Sequence, residues 1–264
     1  MGIVNLTDNS YVKASRCLKT DGTVDLDKVL EHCRKHISDG ASILDIGACS
    51  TGPGTPPVGA EEEWKRLSCA LPQIRKEFPD VQISVDTYWA SVVEKTFDAI
   101  GPFLVNDISA GEADKDMLSV TGRLALPYVA MHMRGDSMTM QKMTDYPEGI
   151  VKAVEDYFKS FAEKADKAGI KDWILDPGFG FAKTVDQNYE LFRAIDRFQA
   201  FGKPILVGIS RKSMIYRLFG ITPEEALPAT QALHLAALQK GADILRVHDV
   251  AEAARTVEVY RRIS

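Results

Sequence analysis

Two residues near the C-terminal end interrupt an otherwise apolar run. In ADILRVHDV, residues 242–250, Arg246 and His248 stand two apart among aliphatic neighbours. Side chains alternate along a strand, so both would share one face, with Leu245 and Val247 on the other. An arginine on a buried strand must find an anion or reach solvent, because an unpaired buried charge is expensive. An anionic ligand meets that need; pairing with an aspartate at another strand end is the internal alternative. His248 suits the same anion, or is a hydrogen-bonded part of the scaffold.

Comparable polar residues recur at Asn5, Asp45, Asp86, Asn106, Asp107, His132 and Asp176, each within or just after an apolar run. Each has a local explanation. Asp86 and Thr87 could cap the next helix, Asp176 before Pro177 could form a turn, and Asn106 and Asp107 could satisfy loop backbone. What they share is position, always towards the same end of a run. In GISRKSMIYRLFG, residues 208–220, Ser210 reads as an N-cap, yet Arg211 and Lys212 follow at once. Cations there oppose the helix dipole by ~0.3–1 kcal/mol each. Either both side chains reach solvent, or Ser213 and nearby backbone N–H groups complete an anion cradle. ACSTGPGTPPV, residues 48–58, is a long small-residue loop able to close over a ligand. His32 and His36 sit four apart without a third ligand, and His234 lies in an apolar helical pattern.

The elements that must position these residues are short apolar runs at 2–7, 42–47, 82–87, 103–109, 127–133, 173–178, 204–210 and 244–249. Several are nearly continuous apolar stretches, as in parallel strands buried on both faces. Amphipathic helical patterns lie between them, including 25–37, 60–78, 146–169 and 224–241, and several close on a glycine just before the next strand. Eight strand–helix repeats predict an α/β fold, a (β/α)₈ TIM barrel forming one domain over 1–264. The strand ends carrying the polar residues are then the catalytic face.

Composition narrows the partners. The net charge is −5 and no Lys/Arg-rich run occurs, which argues against nucleic acid or a membrane and for a small anionic substrate. The four cysteines, Cys17, Cys33, Cys49 and Cys69, form no C-x-x-C pair, and no signal peptide or membrane-length apolar segment is visible, so a cytoplasmic protein is expected.

Together these motifs resemble the dihydropteroate synthase family of pterin-binding TIM barrels. MGIVNLT, the loop DIGACSTGPG, SVDT, NDIS, MHMRG, DPGFGFAKT, GISRKSMI and RVHDV follow the family's order along nearly the whole chain. The resemblance implies condensation of 6-hydroxymethyl-7,8-dihydropterin pyrophosphate with p-aminobenzoate, giving dihydropteroate and pyrophosphate. It implies that Asp86, Asn106, Asp176 and Lys212 hold the pterin, with Ile108 and Met131 against its ring. Asn5, Arg246 and His248 would bind pyrophosphate with Mg²⁺, Asn5 being the metal ligand, and Asp86, Lys212, Arg246 and His248 the catalytic set. Thr51, Pro53, Phe181 and Ser213 would form the p-aminobenzoate site, and a homodimer is implied. The first loop departs from the family's T-P-D-S-F at Asp8, Asn9 and Tyr11, and the second puts Cys49 and Gly52 where glutamate and arginine are usual. Two other functions use such a barrel. A methyltetrahydrofolate-dependent methyltransferase would not need SRKS and RVHD to bind pyrophosphate, and a pterin-binding paralogue could have lost catalysis through its loops.

Overall fold

The computed structural model describes residues 1–7, 17–19, 21–49 and 58–264. Its parallel strands are β1 (Gly2–Asn5), β2 (Ile43–Gly47), β3 (Gln82–Asp86), β4 (Leu104–Asp107), β5 (Tyr128–Met131), β6 (Trp173–Asp176), β7 (Leu206–Val207) and β8 (Ile244–Leu245). The first six pair in sequence order, and β7 pairs with β8. Single bridges close the ring: Leu175 meets Ile205 between β6 and β7, and Gly2 meets Val247 between β8 and β1. At the second seam Ile3 N donates to Val247 O and Val247 N to Met1 O, both at 3.0 Å. The chain therefore folds as the expected barrel.

Strands seven and eight form shorter ladders than their apolar runs predict. Beyond Leu245 the pairing continues through isolated bonds, such as Arg246 N to Val207 O at 3.0 Å.

Period-two alternation separates the interior of the barrel from its outer surface. Leu104, Val129 and Leu206, with Met1, Ile174 and Ile244, form a small apolar cluster of their own. The alternate positions, among them Val4, Leu44, Val85, Val105, Ala130, Leu175, Leu245 and Val247, join the large core shared with the helices. One step up each strand from that inner cluster stand Asn106, Met131, Asp176, Gly208 and Arg246. Leu245 and Val247 thus pack outward, as the alternation predicts.

The helices that pack outside are α1 (Leu26–Ser38), α2 (Ala60–Glu77), α3 (Ala90–Ile100), α4 (Met117–Arg123), α5 (Ile150–Ala168), α6 (Val185–Arg193), α7 (Ser213–Phe219), α8 (Leu227–Gln239) and α9 (Val250–Ile263). α5 starts later than its pattern predicts because Gly149, at φ +84°, breaks the helical path behind Tyr146. At the other end Gly169 closes α5 in the left-handed conformation its position requires. α8 likewise starts late, at Leu227, with Pro228 in its first turn, where a missing N–H costs nothing.

One helix residue carries an unusual charge state. Glu63 in the first turn of α2 is fully buried, and among the described residues neither carboxyl oxygen has a hydrogen-bond partner. Burial pushes its pKa up to about 8; neighbouring Asp86 adds to this, while Thr87 and Arg66 oppose it. An acid whose folded pKa is raised favours the fold fully at low pH. That advantage is lost as pH rises from the unfolded value towards the folded one. Glu63→Gln should therefore match the wild type near pH 4.5 and be the more stable protein at pH 7 and above, by up to about 3 kcal/mol. Urea midpoints at pH 4.5 and 7.5 check this; an equal gap at both pH values contradicts a protonated Glu63.

Candidate active site

Asp45, on β2, lies opposite Ser84 in the β2–β3 ladder and is fully buried. Its Oδ1 accepts the Ser84 hydroxyl at 2.6 Å, and both its oxygens accept from the Asn106 side-chain nitrogen at 3.2 Å. The guanidinium of Arg246 crosses the barrel to meet it. Nε donates to Asp45 Oδ2 at 2.7 Å, and Nη2 donates to Asp86 Oδ2 at 2.7 Å. The internal pairing of Arg246 is therefore the one realised, and strand eight does not aim the whole guanidinium at a ligand. Two aspartates clamp two of its nitrogens, while Nη1 has no partner among the described residues. A cation fixed in this way keeps its orientation without a ligand and has donors in reserve.

Burial, with the neighbouring charges of Asp45 and Asp107, pushes Asp86 up to about 7 against the pull of Arg246. Asp176 pairs with Met131 in the β5–β6 ladder. Its Oδ1 accepts Gly178 N at 2.8 Å, so the turn role and the site position coincide. Burial raises its pKa as well, opposed first by Lys212. Lys212 Nζ donates to Phe179 O at 2.6 Å and lies 4.7 Å from the centre of the Phe181 ring. Burial lowers Lys212 to about 8, helped by the positive charge of Arg246 and opposed by Asp176 and Asp86. Gly208 sits between the two basic side chains, and a Cβ there would lie in ordinary contact, 3.9 Å from both Lys212 Nζ and Arg246 Cβ. Ile108 and Met131, both buried, supply the apolar wall.

His248 is held through its backbone, its N–H donating to Ser210 Oγ at 3.2 Å. Its ring Nδ1 is buried without a partner among the described residues, and burial beside Arg246 lowers the ring to about 4, so it is neutral near pH 7. Asn5 ends β1 at the same mouth. Its Oδ1 lies 3.8 Å from where a Cβ on Gly47 would fall, and Asp86 Cβ lies 3.4 Å from that same point.

Other expectations change. Ser210 does not cap α7, whose N-cap is Lys212 with no side-chain capping bond; Ser213 is the first helical residue. Neither basic side chain simply reaches solvent. Arg211, at φ +54°, donates from Nε and Nη2 to Asp249 at 2.7 and 2.8 Å and from Nη1 to the carbonyls of Pro223 and Glu224. Asp107 serves its own loop, accepting from Ser109 N at 2.7 Å, Gly111 N at 2.8 Å and the Tyr128 hydroxyl at 2.6 Å. His132 bonds Lys183 through Nδ1 and also lines the cavity described below. Thr51 and Pro53 lie outside the described residues, as do Asp8, Asn9, Tyr11 and Gly52. Asp45 was legible as a strand-end carboxylate but not as the hub of the cluster, which depends on register across strands. Lys183 gave no signal beyond its place in DPGFGFAKT. A cavity of about 820 Å³ is walled by Ile108, Trp89, Arg134 and Tyr157 among others, and none of Asp45, Asp86, Asp176, Lys212 or Arg246 lines it.

Residues 1–248 match the family of pterin binding enzymes. The folic acid synthesis protein of Pneumocystis carinii is 39% identical over 96% of this chain, which spans 34% of that longer protein. Dihydropteroate synthase of Bacillus subtilis is 38% identical over 98% of this chain and 86% of its own length. The crystal structure of Yersinia pestis dihydropteroate synthase in a sulfonamide drug complex superposes with a TM-score of 0.92 at 33% identity, covering 100% of this chain and 93% of that one. A barrel with this cluster at its mouth, and likeness along its whole length, place the chain in the dihydropteroate synthase family, the pterin-binding transferases of folate synthesis.

Proposed function

We propose that this chain joins 6-hydroxymethyl-7,8-dihydropterin pyrophosphate to p-aminobenzoate. The observation that carries this is the division of donors and acceptors at the mouth. Asp176 has one oxygen fixed on Gly178 and the other outside that bond, beside Lys212. Arg246 Nη1 and His248 Nδ1, by contrast, lack described partners. An aminopyrimidinone edge with paired N–H donors suits the carboxylate, and a pyrophosphate suits the cation.

In this reading Asp176, Asn106 and Lys212 bind the pterin, and Ile108 and Met131 pack against its ring. Asn106 commits its nitrogen to Asp45 and so offers its oxygen to the ligand. The C–O bond to pyrophosphate breaks as the neutral aniline nitrogen forms a C–N bond, and the amine proton passes to solvent. Asp86 favours the positive charge that develops on the pterin methylene, and Arg246 with His248 holds the departing pyrophosphate. Phe181 and Ser213, with Thr51 and Pro53, form the p-aminobenzoate site, where a sulfonamide would compete.

Among the described residues no three His, Cys, Asp or Glu side chains gather to hold a metal ion. The amide oxygen of Asn5 is a hard donor that suits Mg²⁺ carried on the pyrophosphate, with water completing the shell. When bound, the ion neutralises charge on the leaving group.

A homodimer fits the exposure of Leu218 and Phe219 at the end of α7. Among the described residues no helix is long and apolar enough to cross a membrane. The acidic composition and lack of paired C-x-x-C cysteines support a cytoplasmic location.

The test is pyrophosphate release on mixing protein, Mg²⁺, the pterin pyrophosphate and p-aminobenzoate. Release that requires both substrates supports the reading. Pterin pyrophosphate binding without release would point instead to a binding protein, and methyl transfer from methyltetrahydrofolate would point to a methyltransferase. The charge states add a pH dependence. Asp86 must be ionised, which requires pH above about 7, and Lys212 must be protonated, which requires pH below about 8. The kcat/KM for the pterin substrate should therefore peak between those values and fall on both sides. A flat profile over roughly pH 5.5–9 contradicts these roles.

A further inference from the structure

A buried and fully bonded basic side chain near the mouth belongs to a residue the proposed reaction does not use. Lys183 is 5% exposed. Its Nζ donates to Gly178 O at 2.8 Å, Phe181 O at 2.9 Å, His132 Nδ1 at 3.0 Å and His132 O at 3.3 Å. Burying an ammonium group is costly unless acceptors replace water, and here four of them converge on three N–H donors. Burial still drives its pKa well down, against the pull of Asp176.

What matters is where the acceptors sit. His132 directly follows Met131 at the end of β5. Gly178 and Phe181 belong to the loop after β6, whose backbone also fixes Asp176 through Gly178 N and Lys212 through Phe179 O. The loop presses so closely on β5 that a Cβ on Gly178, at φ +71°, would fall 2.0 Å from His132 O. The far end of the same loop is closed separately, by Gly180 N donating to Asn188 Oδ1 at 2.7 Å and by the Thr184–Gln187 capping box of α6. Between those fixed ends, Phe181 is anchored through its carbonyl to Lys183. Its ring faces Lys212 Nζ on the opposite side.

We infer that Lys183 is a positioning residue that sets the Phe181 shelf for the aromatic amine at a fixed distance from the pterin pocket formed by Met131 and Asp176. It touches neither ligand and acts by holding the β6–α6 loop against the end of β5. The inference rests on the function proposed above. It adds that the spacing of the two half-sites depends on one buried amine. Asp176 retains its own strand pairing and its bond to Gly178 N, so loss of Lys183 should affect the second substrate more than the first.

The experiment compares wild type, Lys183→Met, which keeps the length without the donors, and His132→Leu, which removes one acceptor and leaves the amine. Steady-state kinetics give KM for p-aminobenzoate, calorimetry gives Kd for the pterin pyrophosphate, and thermal unfolding gives Tm. Displacement of a reacting partner by about 1 Å can cost up to 10²-fold. For Lys183→Met the KM for p-aminobenzoate should rise about tenfold or more, with pterin pyrophosphate Kd changing less than about threefold. His132→Leu should lie between that variant and wild type. A lower Tm and a lower active fraction with both constants unchanged would mean a purely structural lysine and overturn the inference. If Lys183→Met does not fold, an unchanged KM in His132→Leu overturns it alone. Wild type that binds the pterin pyrophosphate but releases nothing refutes the function instead. In that case aminobenzoate affinity, measured by calorimetry with the pterin ligand already bound, decides the role of Lys183 separately.

Discussion

Arg246→Ala lowers kcat/KM for pyrophosphate release by about 10³-fold, the scale of losing a cation that stabilises a departing phosphate. The same substitution reaches the fold, because Arg246 is the partner of both Asp45 and Asp86. Asp45 is fully buried, and removing one partner of a buried ion pair costs about 3–5 kcal/mol. A drop in Tm therefore accompanies the loss of rate, and the two effects have to be separated. Asp45→Asn in the same chain does so: the amide can still accept from Ser84 and no longer carries a stranded charge. The double variant should regain much of the lost stability and none of the rate. If activity returned along with stability, Arg246 would be a brace for the two aspartates and the pyrophosphate role would fall. Pyrophosphate release and urea midpoints on the same three proteins are sufficient.

The behaviour of Arg246 also shows how far a linear sequence reaches. Alternation along ADILRVHDV correctly sets Arg246 on the inner face, with Leu245 and Val247 packed outward, because strand periodicity is local. It cannot say which acceptor an inward arginine finds, because Asp45 and Asp86 are far away in sequence and brought close only by closure of the barrel. The same limit hid Lys183, whose acceptors come from two loops joined through a single glycine. Helix bodies were legible from their amphipathic period, whereas the starts of α5 and α8 depended on Gly149 and Pro228. Ser210 failed as a cap for a related reason. Its hydroxyl is taken by His248 N, a partner from the next strand that no local rule could anticipate. The remaining site assignments come from the family motifs, by resemblance rather than by physics readable in one chain.

Asp176→Asn should weaken binding of the pterin pyrophosphate by about 10³-fold while leaving the fold intact. Asp176 does two things with two oxygens. One accepts Gly178 N at 2.8 Å and shapes the turn that carries Phe179 and Phe181. An asparagine can do this equally well through its own Oδ1. The other oxygen is left for the ligand, and there the substitution is not neutral. An NH₂ group replaces the acceptor and points donors at donors, leaving both sides of a buried interface unpaired. A site built to bond a polar edge rejects the mismatched partner by about 10⁴-fold or more when water is fully excluded, and somewhat less at a mouth. The charge also disappears, which removes the strongest attraction holding Lys212 up; the lysine then loses its proton at lower pH. The basic limb of the pH profile should accordingly move down, a change that a simple loss of affinity would not produce. Calorimetry with the pterin pyrophosphate, a Tm within a few degrees of wild type, and the shifted limb form one coherent outcome. Unchanged pterin affinity in a folded Asp176→Asn protein would remove this carboxylate from recognition and, with it, the assignment of the barrel mouth to a pterin.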